Sequence, residues 1–550
     1  MNIYTSFFFC KTILNQTSRS VAPKNEEETI MKKITRFLCV LSAVVMLCMS
    51  TAFATELPLT TSGETLTVWR MLHPTAAKYI TNTAETESAK ALEEQTGVHV
   101  EYIHPAVGQE ATAFSLLLAS GEYPDIIQMY NLEYPGGGDA AIEDGVFIRL
   151  NELIDEYAPN YKKWRESSEE NMKMTTTDEG NIWAIYHLND VAEGPFNGMS
   201  VRKDWLNKLG LDIPETIDDW YVMLTRFKNE LGATVPLVMA NNATVAYKTD
   251  TFMSAYGVNR EFFVGEDGQV KFGPMEPGYR DYIETMRKWY AEGLIDPDFL
   301  TRTNLNYMAY PPMDLVGTNQ TGAFPNNWDM TQEYWKEMGA VQDDSFYAVP
   351  VPAPVLNKGD TLHLGFKTYT ALYPVAITKS CKDPVLAVKW LDYLYSEEGS
   401  RTINYGKEGV TYEMVDGKPV YTDLIKNNVD GIPPRDMIIS KTFHDGMGLV
   451  DYRRFWQISN TSRLEAIQVW QSNNDYAWVM PSVSLTVDEG NLKNDIYPDI
   501  ATLVEEKTVR YIMGTESMDT YDAFVAQIEK MGIQKVIDVY QAALTRYNAR

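Results

Sequence analysis

From residue 60 onward, short apolar runs alternate with longer stretches whose apolar positions recur at helical spacing. Leu66-Thr67-Val68-Trp69 reads as a buried strand, Ala76 to Gly97 as a helix ending at its glycine, and Val98-His99-Val100-Glu101-Tyr102 as a second strand. That is the opening of a βαβ unit. A helical stretch from Ala113 to Ser120, the turn Gly121-Glu122-Tyr123-Pro124 and the strand Asp125-Ile126-Ile127 follow. Strands alternating with helices predict a mainly parallel α/β sheet. Ligands of such sheets occupy the crevice beyond the carboxyl ends of the strands, which places Trp69, Arg70 and the residues Gln128 to Tyr130 where contacts are made.

A second set of elements repeats this logic. Asn181-Ile182-Trp183-Ala184-Ile185-Tyr186 is strand-like, and Gly198-Met199-Ser200-Val201-Arg202 leads into a helix with Asp204-Trp205-Leu206 in its first turns. Leu211 to Thr216 then precedes an amphipathic helix from Asp218 to Leu231. Two α/β units predict two lobes. No internal repeat, low-complexity tract or Gly/Ser linker separates them, so short crossing strands are expected to join them. Trp205, Trp220, Trp289, Trp335, Trp390 and Trp470 fall in helical patterns and are expected in the core.

The N-terminus sets the compartment. Met31-Lys32-Lys33 and Arg36 precede the apolar run Phe37 to Met49 and then Ala52-Phe53-Ala54, the layout of a secretory signal cleaved after Ala54. The run is well short of the roughly 20 residues a spanning helix needs. Translation is expected from Met31, with a mature start at Thr55. Of Cys10, Cys39, Cys48 and Cys381 only the last survives that cleavage, so no intrachain disulfide is expected and stability must come from the core. A lipid anchor on Cys48 needs a small residue before it; Leu47 departs from that pattern, and anchoring is not expected. The chain carries 48 Lys+Arg against 75 Asp+Glu, and without residues 1–54 the formal charge becomes −30. That balance excludes nucleic acid as a partner and argues against bulk steering of a strongly anionic ligand.

Several segments along the chain together carry a family resemblance. They are Leu66 to Trp69, Ala119-Ser120-Gly121-Glu122-Tyr123-Pro124-Asp125-Ile126, Ile142 to Val146 with Leu150 to Ile154, Val201 to Leu206, Glu292 to Pro297, and Asn404 to Val410 with Asp416 to Tyr421. In order and spacing the chain resembles the extracellular solute-binding proteins of ABC importers, sugar-binding family 1, in the long lipoprotein-like branch of Gram-positive bacteria. Most of these residues read as scaffold, with Asp416-Gly417-Lys418 a hairpin turn between apolar flanks. The resemblance implies an α/β, two-lobed, type II periplasmic-binding-protein-like fold that closes on a sugar or oligosaccharide by a hinge with three crossings. The crossings are expected near residues 190–200, 315–330 and 370, and the expected partners are the membrane permease subunits, the protein itself being a monomer. The N-terminal lobe is expected to hold residues 55–195 and 325–370, and the C-terminal lobe residues 196–324 and 371–550.

The resemblance also implies a sugar-stacking aromatic after the second crossing, where Phe324-Pro325-Asn326-Asn327-Trp328-Asp329-Met330 stands. A pyranose presents a C–H face to a ring and edge hydroxyls to amides and carboxylates, which makes Trp328, Asn327 and Asp329 the leading candidates. Trp69, Arg70, Tyr130, Asn189, Asp190 and Trp456 join the candidate set, with core packing equally open for Trp69 and Tyr130. No H-E-x-x-H, G-x-S-x-G, P-loop or metal-spaced Cys pair is present, so neither an enzyme nor a cofactor is expected. A glycoside hydrolase with two distant carboxylates, or a binder of a non-sugar solute such as a peptide, are the alternatives. The acidic turns Asp178-Glu179-Gly180-Asn181 and Gly265-Glu266-Asp267-Gly268 lack the register of a calcium loop, and no metal is expected.

Overall fold

The structure, a computed structural model, describes residues 56–128, 134–189, 195, 197–239, 250–302, 313–327, 336, 341, 345–365, 367, 371–443, 446–458 and 461–550. Its first element follows the apolar run at the start of the mature chain: β1 is Thr65–Arg70, and β2, His99–Ile103, lies parallel to it with Thr65 level with His99. The stretch between them was expected as one helix from Ala76 to Gly97. It is instead two 3-10 turns and the helix Glu87–Thr96, because Asn82 and Thr86 each turn a side-chain oxygen back onto backbone N–H groups and restart the chain. Gly97 ends that helix at φ 72°, where an added Cβ would lie 2.3 Å from the Thr60 carbonyl oxygen.

β3, Ile126–Gln128, extends the sheet parallel to β1 and brings Gln128 level with Arg70. β4 is Ile185–Asn189, several residues later than the expected strand at 181–186. The Ile182 carbonyl accepts from the Leu150 N–H and its own N–H donates to Asn151 Oδ1, which keeps this segment out of the ladder. β5, Asn197–Arg202, belongs to a different sheet. The hairpin strands β6, Phe262–Val264, and β7, Val270–Phe272, pair with each other. β8, Ala323–Asn327, and β9, Ala348–Val351, flank β5 on either side, both antiparallel.

β10, Ala371–Ile377, returns to the first sheet and inserts antiparallel between β3 and β4. β11, Tyr412–Val415, and β12, Lys418–Tyr421, form the expected hairpin, with Asp416 and Gly417 both at positive φ as a two-residue turn requires. β13, Leu449–Val450, closes the first sheet beside β4 in the order β13-β4-β10-β3-β1-β2. Its one antiparallel strand is β10.

These pairings correct the expected lobe boundaries. Residues 348–351 were placed with the N-terminal half and 371–377 with the C-terminal half, yet β9 hydrogen-bonds to β5 and β10 to β3 and β4. The chain passes between the two sheets from β4 to β5 and from β9 to β10. It passes again after Gln457, where the helix Thr461–Trp470 begins and its Trp470 indole donates to the Met199 carbonyl of β5. Among the described residues no such passage falls at 315–327, where β8 stays on β5. Register between distant strands is a tertiary property, and no local pattern states it.

The first sheet buries both faces, as a mainly parallel sheet must. Val68, Ile126, Ile185 and Val375 meet Leu150, Tyr161 and Trp390 on one side; Trp69, Ile127 and Ala376 meet Phe114, Phe147 and Trp183 on the other. Around β5 a separate core gathers Trp205, Trp220, Phe227, Tyr282 and Trp289 beneath the helices Ile217–Leu231, Pro277–Ala291 and Val487–Met513. Trp205, Trp220, Trp289, Trp390 and Trp470 are all buried as expected. Trp335 lies outside the described residues.

The two bodies also meet through ions. Asp178, on the first body, accepts from Arg546 Nε at 2.6 Å and from Arg550 Nε at 2.9 Å, both on the C-terminal helix Ile533–Ala549 or at its end. Arg546 reaches Glu489 with two further bonds of 2.9 and 2.6 Å, and Arg550 Nη1 donates to the Lys173 carbonyl at 2.9 Å. The acidic turn singled out as a possible cation loop is thus occupied by guanidinium groups.

Candidate ligand-binding site

The carboxyl ends of β1, β3 and β4 converge on one rim of the first sheet, and the residues there are polar although they are buried. Arg70 ends β1, with its guanidinium carbon 5.0 Å above the Phe443 ring and its carbonyl oxygen 2.9 Å from His104 Nδ1. The Thr83 N–H donates to His104 Nε2, so the proton of that ring sits on Nδ1, and burial holds the imidazole below its ordinary pKa. Gln128 ends β3 wholly buried, and among the described residues neither its Nε2 nor its Oε1 has a hydrogen-bond partner. A buried amide left in that state costs roughly 1 to 3 kcal/mol, and a ligand or water that bonds it recovers that cost.

β4 supplies His187 and Asn189 from alternate positions, so both side chains point to one face. His187 Nε2 lies 2.7 Å from Asn189 Oδ1, and the Gly446 N–H donates to His187 Nδ1 at 3.2 Å. Gly446 stands at φ 107°, and a Cβ there would fall 2.1 Å from Gln128 Nε2, so a side chain here would strain the backbone and displace the Gln128 amide. On β10, between β3 and β4, the ladder shifts register at Tyr373, which has φ 40°, and its ring meets the His187 ring edge-on at 5.2 Å. The result is a continuous surface of amide, imidazole and aromatic edge, able to bond hydroxyl groups in both senses and bearing no carboxylate among the residues just named.

Of the sequence candidates, Arg70 and Asn189 come to this rim. Trp69 does not: it is 5% exposed, and its ring packs 6.2 Å from Phe114 in the core, on the opposite side of the strand from Arg70. Trp456 is 40% exposed on the 3-10 helix Tyr452–Gln457, which follows β13, and β13 pairs Val450 with Asn189. Asn327 ends β8 with its backbone opposite Asn197, while its side chain, Tyr130, Asp190, Trp328 and Asp329 lie outside the described residues.

Three residues escaped the sequence reading. Gln128 was placed at a strand end and left out of the candidate set. His187 was not in the candidate set, and its partner stands two residues on along the strand, at Asn189. Gly446 sat in a loop that offered no pattern. A separate groove of about 460 Å³ lies beside the β11–β12 hairpin, lined by Lys163, Arg401, Arg453, Glu397 and Asp451. Its Arg453 is bonded to Asp451 at 2.6 Å, and Arg70, Gln128, His187 and Asn189 do not line it.

Residues 78–401 match the family model described as bacterial extracellular solute-binding protein. The fructooligosaccharide ABC transporter substrate-binding protein FusA of Streptococcus pneumoniae is 24% identical over 492 residues, 83% of this chain and 86% of its own length. Among solved structures, the solute-binding protein from Bifidobacterium longum infantis described as binding HMO superposes with a TM-score of 0.72 at 19% identity, over 88% of this chain and 99% of its own. The alginate-binding protein AlgQ2 superposes with a TM-score of 0.63 at 24% identity, over 90% and 99%. These likenesses show a two-lobed, type II periplasmic-binding-protein-like fold. No helix among the described residues is long and apolar enough to cross a membrane.

Proposed function

The chain belongs to the bacterial extracellular solute-binding proteins, and on that premise we propose that it captures an oligosaccharide between its lobes and delivers it to an ABC-type importer. The observation that carries the ligand class is the buried row of Gln128, His187 and Asn189, neutral donors and acceptors, with the Arg70 guanidinium beside them. A sugar satisfies such groups with hydroxyls, whose oxygens also accept from a guanidinium; a peptide would ask for an opposing carboxylate as well. The curated relative with a fructooligosaccharide in its name supports the same class. The protein is exported, acts as a monomer beside its permease, and binds without turnover. The lobes are expected to close on the ligand by hinge motion.

Thermal unfolding against a panel of neutral oligosaccharides, uronic-acid oligomers and peptides tests this reading. A neutral oligosaccharide at roughly 100 times its dissociation constant is expected to stabilise the protein by about 2.7 kcal/mol. Stabilisation by peptides alone would overturn the assignment, as would hydrolysis of the sugar.

Trp328 is the proposed stacking residue. It directly follows Asn327, whose strand β8 is paired with the first residue of β5, where the chain arrives from the Asn189 rim. Trp328→Ala is expected to weaken oligosaccharide binding at least thirtyfold, about 2 kcal/mol, while the protein stays folded. Calorimetric titration and thermal unfolding of one sample separate this from a core tryptophan, which would lose stability and keep its affinity.

A further inference from the structure

Beside one of the chain passages between the two bodies, side chains make a further connection. The passage from β9 to β10 carries Lys367, whose Nζ donates to Glu170 Oε1 at 2.6 Å. Glu170 stands on the helix Glu169–Met174 of the first body, and one turn on, Lys173 meets the second body. Its Nζ donates to the Asn548 carbonyl at 3.4 Å, and its own carbonyl accepts from Arg550 Nη1. Asp178 follows, accepting from Arg546 and Arg550. Both sides of this contact are firmly mounted. Asp178 sits in a turn closed by the Thr177 N–H on the Asn181 carbonyl at 2.8 Å. The turn is tied to the helix Gly137–Glu143, where Asp139 accepts from Thr177 Oγ1 at 2.5 Å and from Asn181 Nδ2 at 2.8 Å. Opposite, Arg546 is braced by Glu489 on the helix Val487–Met513, and its own helix buries Val536 and Leu544 in the core around β5.

We propose that this cluster is a fixed point of the lobe motion: a non-covalent strap, added to the chain passages, that stays made whether the cleft is open or closed. Rotation of one body against another leaves the points near its axis in place, and the linkers mark where that axis runs. A contact that touches the same helix as a linker lysine shares that position. Parting it would strand charge, since the side chains of Arg550 and Asp178 are only 3% and 16% exposed. The lobes therefore turn about the strap, and contacts remote from the linkers are the ones that make and break.

Double electron–electron resonance tests this on mature protein carrying Cys381→Ser, with spin labels on Leu116→Cys and Val222→Cys. These are exposed positions on the helices Glu110–Ser120 of the first body and Ile217–Leu231 of the second. Without ligand, Asp178→Asn and the pair Arg546→Gln with Arg550→Gln are each expected to widen the label-to-label distance distribution at least about twofold. Glu179→Ala should leave it unchanged. Thermal unfolding checks that each variant is folded, and the nearly isosteric Asp178→Asn carries the test if the double variant is not. Equal widths in wild type and Asp178→Asn overturn the proposal. Calorimetric titration with kestose, maltotriose and xylotriose separates a strap from a latch. A strap kept in both states leaves the affinity of Asp178→Asn within about threefold of wild type. A latch made in one state only shifts it by about tenfold or more, and that shift overturns the fixed point. If wild type binds none of the three sugars, the oligosaccharide reading falls, and the ligand-free distributions still decide the strap.

Discussion

Asp178→Ala is expected to destabilise the folded protein by about 3 kcal/mol, the cost of stranding the enclosed Arg550 guanidinium when its carboxylate is removed. Asp178 receives Arg546 Nε at 2.6 Å and Arg550 at 2.9 and 2.5 Å, and the Arg550 side chain is only 3% exposed. After the substitution Arg550 retains the Lys173 carbonyl at 2.9 Å and Ser484 Oγ at 3.1 Å, neither of which carries a charge. Arg546 keeps Glu489; there burial works to raise the glutamate pKa, but the Arg546 hydrogen bonds outweigh it and hold the carboxyl below its ordinary value. Urea unfolding reads the loss as a lower midpoint with an unchanged slope. Glu179→Ala, an exposed neighbour, is the control and should stay within about 0.5 kcal/mol. A midpoint equal to that of the control would mean that the cluster contributes nothing to holding the C-terminal helix against the first body. Both carboxylate oxygens of Asp178 are taken up by Arg546 and Arg550, so sugar affinity measured below the unfolding transition should be nearly unchanged.

Asp392 gives the second large effect, and with the opposite dependence on pH from an ordinary ion-paired carboxylate. It is fully buried on the helix Pro384–Tyr393, and burial pushes its pKa up from 3.8 to about 6, against the pull of hydrogen bonds from the Tyr161 N–H and Asn160 Nδ2, each at 2.8 Å. The folded state therefore keeps this proton to higher pH than the unfolded chain does. Its stabilising contribution is fully present below about pH 4 and is lost as pH rises through about 6. A rise from 3.8 to about 6 corresponds to about 3 kcal/mol. Asp392→Asn removes the titration, so wild type should lose about 3 kcal/mol relative to the variant between about pH 4 and pH 7. Chemical denaturation of both proteins at several pH values across that interval checks the sign: two parallel stability curves would refute it. Carboxylates such as Glu489, held below their ordinary value, act the other way and are common to both proteins, so they cancel in the difference.

How much was legible in the chain can be judged from particular residues. β1, β2, β3 and the C-terminal end of the helix that stops at Gly97 could be read closely, because apolar spacing and a helix-ending glycine are local; the start of that helix at Glu87 was missed. The Asp416-Gly417 hairpin was legible for the same reason: two residues at positive φ need residues that tolerate it. The tryptophans at helical spacing were legible as core, since burial of so large a ring follows from the face it shares. The rule that parallel sheets bind beyond their carboxyl ends placed Arg70 and Gln128 at strand ends, and it placed Trp69 there too, whose ring turns into the core.

Register, pairing order and side-chain partnership across long separations belonged to the tertiary structure alone. Nothing near residue 371 says that β10 will insert between β3 and β4, and nothing near 348 says that β9 will flank β5; both follow from which edges remain to be satisfied once the whole chain is assembled. The site shows the same division. His187, Gln128 and Gly446 are separated by as many as 318 positions in the numbering, and only the fold sets the Gly446 N–H on the imidazole and its Cα against the Gln128 amide. Local chemistry chose the elements, because capping, turn geometry and apolar period act over a few residues; the fold chose their neighbours, because hydrogen bonds and packing between distant segments exist only after the chain has closed on itself.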